Sequence, residues 1–276
     1  MMREESARLW RLGALLIVLL STVPNVGFAS SRLDGASKSM VFLAGPPKIG
    51  EDGQVRRPTG SGFFIINGAA LLLVTAEHVA RGLTGGALAV IQGPDGKGLE
   101  ISLDRLAGAR SSWRYHQTAD LAVLCISTVQ ASNPILKGRF LPVNMIRSEA
   151  SAPSRAITLT VFGFPLALGI TGEFSPISRE TRPASGLITT NRGDTKTPAV
   201  FFVTQDPSIG GFSGAPVFDT GLPYSTSDAA IQIDGRPIQI VGVAHGTVPD
   251  DTGGKLGLIT PAHLLAELLS TQQCAP

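Results

Sequence analysis

The chain predicts an all-β fold with one C-terminal α-helix, and three observations carry that expectation. Of its 276 residues, 43% are hydrophobic, only 16% are charged and 32 are glycine, the balance of a well-buried protein rich in turns. Short apolar runs recur between Gly, Pro and Asn-Gly punctuation, as strands do between turns. A convincing helical period occurs only at Pro261 to Ser270, where Leu264, Leu265, Leu268 and Leu269 fall at helical spacing and Pro261 stands near the start.

Residues 1–29 read as a cleaved secretory signal. Arg3, Arg8 and Arg11 precede the apolar run Leu12 to Leu20, and Gly27-Phe28-Ala29 places small residues one and three positions before a cut at Ser30. That run is short for spanning a bilayer, so cleavage is favoured over an uncleaved anchor, and no other segment reaches spanning length. The mature protein is therefore expected outside the cytoplasm, in the periplasm or the medium.

Residues 30–57 form a leader containing the strand-like Met40-Val41-Phe42-Leu43-Ala44 and the stop Gly45-Pro46-Pro47. A first unit is expected over 58–129. In it Gly62 to Ile66 and Ala69 to Val74 flank Asn67-Gly68 as a tight hairpin, followed by strands at Ala87 to Gln92, Glu100 to Leu103 and Leu121 to Ile126. Residues 130–152, with Pro134 and Pro142 and no clear period, read as a crossing to a second unit over 153–260. Its strands are expected at Ile157 to Phe164, Ser185 to Thr190, Val200 to Thr204, Pro216 to Phe218 and Ile238 to Ala244, and the helix and tail follow over 261–276.

The stretch Gly210-Gly211-Phe212-Ser213-Gly214-Ala215-Pro216 suits a strained turn that exposes a hydroxyl, making Ser213 a candidate nucleophile. Such a serine needs a base, and the base needs a partner to fix its tautomer. The apolar run Ala69 to Val74 leads through Thr75-Ala76-Glu77 to His78. Further on, Thr118-Ala119-Asp120-Leu121 places a carboxylate just before another apolar strand. Taken singly, His78 reads better as a core histidine and Asp120 as a turn cap.

Taken together the blocks stand in the order His, Asp, Ser, with separations of 120 − 78 = 42 and 213 − 120 = 93 residues. Thr75-Ala76-Glu77-His78, Asp120-Leu121-Ala122-Val123-Leu124 and Gly211-Phe212-Ser213-Gly214-Ala215-Pro216 resemble the T-A-x-H, D-[IL]-A-[LV]-[LI] and G-[DN]-S-G-[GS]-P blocks of the chymotrypsin-like serine proteases. Val161-Phe162-Gly163-Phe164-Pro165 and Gly257-Leu258-Ile259-Thr260-Pro261 are similar to strands of the bacterial members, closest in style to the HtrA-type and glutamyl-endopeptidase-like groups. The resemblance covers about residues 58 to 270. It implies two six-stranded-type antiparallel β-barrels with the active site in the cleft between them and a C-terminal helix. It also implies a serine endopeptidase acting on protein or peptide substrates through His78, Asp120 and Ser213, with an oxyanion hole from the N–H groups of Gly211 and Ser213.

Two departures from the family pattern matter. Phe212 stands where digestive members carry the aspartate that captures a freed N-terminus, and no I-V-G-G start is present, so activation by that ion pair is not expected. The resting geometry of the oxyanion loop is left open. The specificity pocket is expected to have Pro207 at its base and walls from Ala244, His245 and Gly246. No carboxylate occupies the base, although Asp206 is adjacent, and Ala244 replaces the histidine that reads acidic side chains. An uncharged residue, small or apolar, is expected at the substrate position preceding the scissile bond, P1.

In an oxidising compartment Cys125 and Cys274 form a possible disulfide, since the family's C-terminal helix packs back on the first barrel; a buried thiol and a tail cysteine are the alternative. No cofactor is implied, and His78, His116, His245 and His263 lack metal-ligand spacing. The net charge of +2, without a basic stripe, does not imply nucleic acid. Two other readings compete. One is a non-catalytic binding protein on the same scaffold; the other is an α/β-hydrolase-type esterase built around Ser213 and His245.

Overall fold

In the computed structural model, residues 33–50, 52–108, 112–127, 132–220, 237–249, 254–271 and 274 are described. The expected signal segment lies outside them. The first half contains β1 (Met40–Ala44), β2 (Lys48–Ile49), β3 (Val55–Arg56), β4 (Thr59–Asn67), β5 (Ala70–Thr75), α1 (Glu77–Gly82), β6 (Leu88–Gln92), β7 (Gly98–Ser102), α2 (Leu103–Ala107), β8 (Arg114–Tyr115), β9 (Ala122–Cys125) and β10 (Leu141–Pro142). The second half contains β11 (Leu159–Gly163), β12 (Ile177–Thr181), β13 (Ile188–Asn191), β14 (Pro198–Thr204), β15 (Pro216–Asp219), β16 (Gln239–Pro249), β17 (Lys255–Pro261) and α3 (Ala262–Ser270).

Two large antiparallel sheets result, beside a two-stranded antiparallel ribbon of β2 and β3. The first follows the order β7-β6-β1-β4-β5-β9-β8, with β10 added parallel to β4; the second follows β12-β11-β15-β16-β17-β14-β13. They hold eight and seven strands rather than six each; among the described residues no ladder of named strands closes either into a barrel, although an antiparallel bridge from Pro183, just past β12, to Thr204 on β14 draws the ends of the second together. The strand-like run expected at Met40 to Ala44 is β1. All five residues of β1 are buried, and the strand pairs with both β4 and β6 near the centre of the first sheet. Its unbroken apolar run fits a strand covered on both faces. The hairpin between β4 and β5 turns on Gly68, whose φ of 60° a side chain would resist. The α/β-hydrolase alternative does not fit, since its parallel sheet is absent from the described residues and Ser213 leads into β15 rather than a helix.

One core joins the halves. Phe42 and Phe63 from the first sheet pack in the same apolar cluster as Phe162, Phe218 and Val243 from the second, Phe164 just past β11, and Leu265 and Leu269 from α3. Each such side chain contributes about 1.5–3 kcal/mol on burial, so this shared cluster outweighs any surface pairing in holding the halves together. The crossing segment serves the same end: Leu141 pairs with Ile65, and Ile146 bridges to Ile240. Cys125 on β9 is bonded to Cys274 beyond α3, closing a separation of 149 residues. A bridge over a loop of that size is worth about 2–5 kcal/mol, and it fixes the tail beside the strand that follows Asp120. No helix among the described residues is long and apolar enough to cross a membrane.

Candidate active site

A short helix and two loops bring the expected triad residues to the junction of the two sheets. β5 ends at Thr75 and α1 starts at Glu77, so His78 sits in the helix's first turn, where its backbone N–H donates to Asp120 Oδ1 at 2.9 Å. Asp120 stands at the end of a short loop capped by His116, whose Nδ1 accepts from the N–H groups of Thr118 and Ala119. The neighbouring contact of His116 Nε2 with Glu267 on α3, 3.7 Å, ties this loop to the C-terminal helix. Ser213 lies in the turn before β15.

Asp120 is fully buried and accepts four hydrogen bonds. Oδ1 receives the His78 N–H and Arg192 Nη2 at 3.0 Å; Oδ2 receives Nδ1 of His78 at 2.7 Å and Nδ1 of His245 at 2.5 Å. Because an ionised carboxylate only accepts, both rings carry a proton on Nδ1, which leaves Nε2 of His78 with a free lone pair. Burial alone would raise the Asp120 pKa, but the bonds from His245 and His78 outweigh it and hold the carboxyl well below the usual range. Burial would likewise lower the His78 pKa; the hydrogen bond and charge of Asp120 prevail and keep it above the ordinary imidazole value. The Ser213 hydroxyl donates to the His245 carbonyl at 2.9 Å, so it must rotate before it can donate to His78.

Among the described residues no ion pair holds the turn from Gly210 to Ser213 itself. Phe212 is buried among Val161, Phe202, Val217 and Ile259, an apolar anchor in place of a charge. Ser61 on β4 supplies the polar latch. Its hydroxyl donates to the Gly211 carbonyl at 2.7 Å and accepts from the Phe164 N–H at 2.9 Å, while its own N–H donates to the Ser213 carbonyl at 2.8 Å. The Leu166 N–H holds the Gly210 carbonyl at 2.8 Å. Gly211 has φ 101°, and a Cβ there would stand 2.5 Å from the Phe164 carbonyl oxygen, so both conformation and space demand glycine. Among the described residues the N–H groups of Gly211 and Ser213 have no internal acceptor, which leaves both available to an oxyanion.

Pro207 and Ala244 line one pocket beside this turn, with Asp206, Ser208, Arg179 and Gly257. Arg179 donates to the Pro207 carbonyl at 2.9 Å and lies 3.9 Å from the Asp206 carboxylate. Gly246 has open space where a side chain would stand. His245, expected on the pocket wall, is instead turned onto Asp120 between the rings of His78 and Phe201. A β-bulge explains the difference: Ala244 pairs with Ile259 and Gly246 with Leu258, so His245 is the extra residue and its side chain is re-aimed.

Arg192 is the residue that sequence reasoning missed. It comes from the turn between β13 and β14 and matches no motif. The one signal was Glu77 beside His78, a carboxylate that in a buried position requires a cation. His78, Asp120 and His245 are the one set among the described residues whose donors lie close enough to consider a metal. They do not fit one: their separations of 2.7 and 2.5 Å are hydrogen-bond lengths, whereas donors sharing a tetrahedral zinc stand roughly 3.3 Å apart, and Arg192 already occupies the other oxygen.

A family profile described as a trypsin-like peptidase domain matches residues 60–221, a span that includes His78, Asp120 and Ser213. Among solved structures, the HtrA-type protease AlgW with decapeptide is similar at 15% identity with a TM-score of 0.49; the match covers 88% of this chain and 66%, just under two thirds, of that one. No curated protein matches the chain.

Ser61→Ala would strand the Gly211 carbonyl and the Phe164 N–H, both buried. Each unmet group costs about 1–3 kcal/mol, so unfolding by urea should show a loss of that order. An unchanged midpoint would show that water or a shifted backbone replaces the hydroxyl.

Proposed function

The chain belongs to the trypsin-like peptidase family, and on that premise we propose that it is an exported serine endopeptidase using His78, Asp120 and Ser213. The observation that carries this reading is the double hold of Asp120 on His78, through the backbone N–H and through Nδ1. That hold leaves Nε2 as the acceptor a hydroxyl needs. In the proposed cycle Ser213 Oγ attacks the peptide carbonyl carbon as its proton passes to His78 Nε2. The carbonyl oxygen takes up negative charge within reach of the Gly211 and Ser213 N–H groups. Collapse expels the amine, which receives the proton from His78, and leaves an acyl group on Ser213. Water then repeats the sequence and releases the acid. Export is supported by the Cys125–Cys274 bridge, a bond that persists in oxidising compartments.

The bond from the Ser213 hydroxyl to the His245 carbonyl favours a second reading, a binding protein whose serine is held off its base. Turnover separates the two. Ser213→Ala and His78→Ala should each lower kcat on an unfolded protein substrate by several orders of magnitude, because the members act as a unit. Cleavage by Ser213→Ala at the wild-type rate would refute the assignment.

Specificity follows from the pocket. Asp206 faces Arg179, so neither sign of charge is left over to receive a charged P1 side chain. Leaving a charge unpaired costs several kcal/mol, more than its methylenes return, so small or apolar P1 residues should dominate cleavage of a peptide library. A dominant Lys or Arg signal that disappears in Asp206→Ala would contradict this.

A further inference from the structure

Arg192 gathers three carboxylates from three parts of the chain. Besides Asp120, its Nη1 donates to Glu77 Oε2 at 2.6 Å, and its Nη2 and Nε donate to Asp194 at 2.6 and 3.0 Å. The Arg192, Asp120 and Glu77 side chains are 5%, 0% and 8% exposed. Such burial makes these charges interact far more strongly than surface pairs do. Glu77 is also held by Arg81, which in turn lies over the Tyr115 ring at 4.5 Å. The cluster therefore has two cations, Arg192 and Arg81, against three anions, Asp120, Glu77 and Asp194. One negative charge remains. A proton on His78 brings the sum to zero, so the cluster is balanced for the imidazolium that forms during peptide-bond cleavage.

We propose that Arg192, clamped by Glu77 and Asp194, acts through Asp120 as a positioning residue that sets the pH at which His78 becomes free to accept a proton. The inference rests on the peptidase reading for its catalytic consequence, though not for its electrostatics. Arg192 crosses from the turn between β13 and β14 to the loop that carries Asp120, fixing the carboxylate on the side opposite the two imidazoles. Its positive charge also opposes protonation of His78, while Asp194 on the same guanidinium favours it. Arg192 from the β13–β14 turn and His245 from β16 bond Asp120 directly; Asp194 and, from α1, Glu77 stand behind Arg192, and Arg81 from α1 and Tyr115 from β8 stand behind Glu77. His245 contributes a hydrogen bond from Nδ1, while its Nε2 faces the Gly193 N–H at 3.5 Å.

Opposite-signed substitutions test this. In full-length protein carrying 15N-labelled histidine, with the His78 resonance assigned against His78→Ala, the wild-type imidazole should titrate above about 6.5. Arg192→Gln removes a cation and should raise that midpoint by about 0.5–1 pH; Asp194→Asn removes an anion and should lower it by a smaller amount. Arg192→Lys, which keeps the charge without the forked contacts, should fall between wild type and Arg192→Gln. The acid limb of kcat/KM should move with the imidazole. A residue that merely props the fold would lower kcat and leave the midpoint in place. A midpoint that stays fixed in both variants, or moves the same way in both, overturns the proposal. Should Arg192→Gln fail to fold, Asp194→Asn decides alone, since Asp194 is partly exposed and the change keeps its shape. An inactive wild type with the opposite displacements intact would refute the peptidase reading and still support this one.

Discussion

A carboxylate withdrawn entirely from water must have its lone pairs met by donors, because an unmet buried charge costs several kcal/mol. Asp120 meets that demand with four. The backbone and ring of His78 come from the first half of the chain; Arg192 and His245 come from the second. The same bonds that keep Asp120 ionised therefore register the two sheets against each other at the cleft. Removing one donor exposes the others to an uncompensated charge, so the position of the His78 ring depends on residues more than a hundred positions away in sequence. The apolar cluster shared by both halves provides the bulk of the adhesion, while Asp120 provides the direction.

A second constraint acts on the turn that carries Ser213. Its Gly211 and Ser213 N–H groups donate to no acceptor among the described residues, so the turn is held by its other groups. Here the support is apolar underneath, through Phe212, and polar from the side, through Ser61 on the opposite sheet. A buried phenylalanine and a hydroxyl together hold the turn. Gly211 and Gly214, both at positive φ and pressed against Phe164 and Ser61 respectively, are the places where the latch leaves no room for a side chain.

The sequence made the strands, the C-terminal helix and the blocks around His78, Asp120 and Ser213 legible, because short-range pattern determines them. β5, β11 and β15 follow apolar runs with clear breaks. What escaped depended on long-range contacts. Met40 to Ala44 read as strand-like, but the place of β1 between β4 and β6 escaped, since those partners lie downstream in sequence. His245 was assigned to the pocket wall by resemblance to the family's strand there, and one bulged residue changes which way a side chain faces. Arg192 had no local signature. Only the burial of two carboxylates, which no pattern reveals, created the need for it.

The central claim is that this network serves an activated serine. Labelling of the folded protein by a fluorophosphonate, followed by mass mapping, addresses it directly, since the reagent reports nucleophilicity without requiring the natural substrate. The account predicts a single stoichiometric adduct on Ser213, formed faster as pH rises through the His78 titration and abolished in His78→Ala. An unlabelled Ser213 in folded protein, or labelling indifferent to His78, would contradict it.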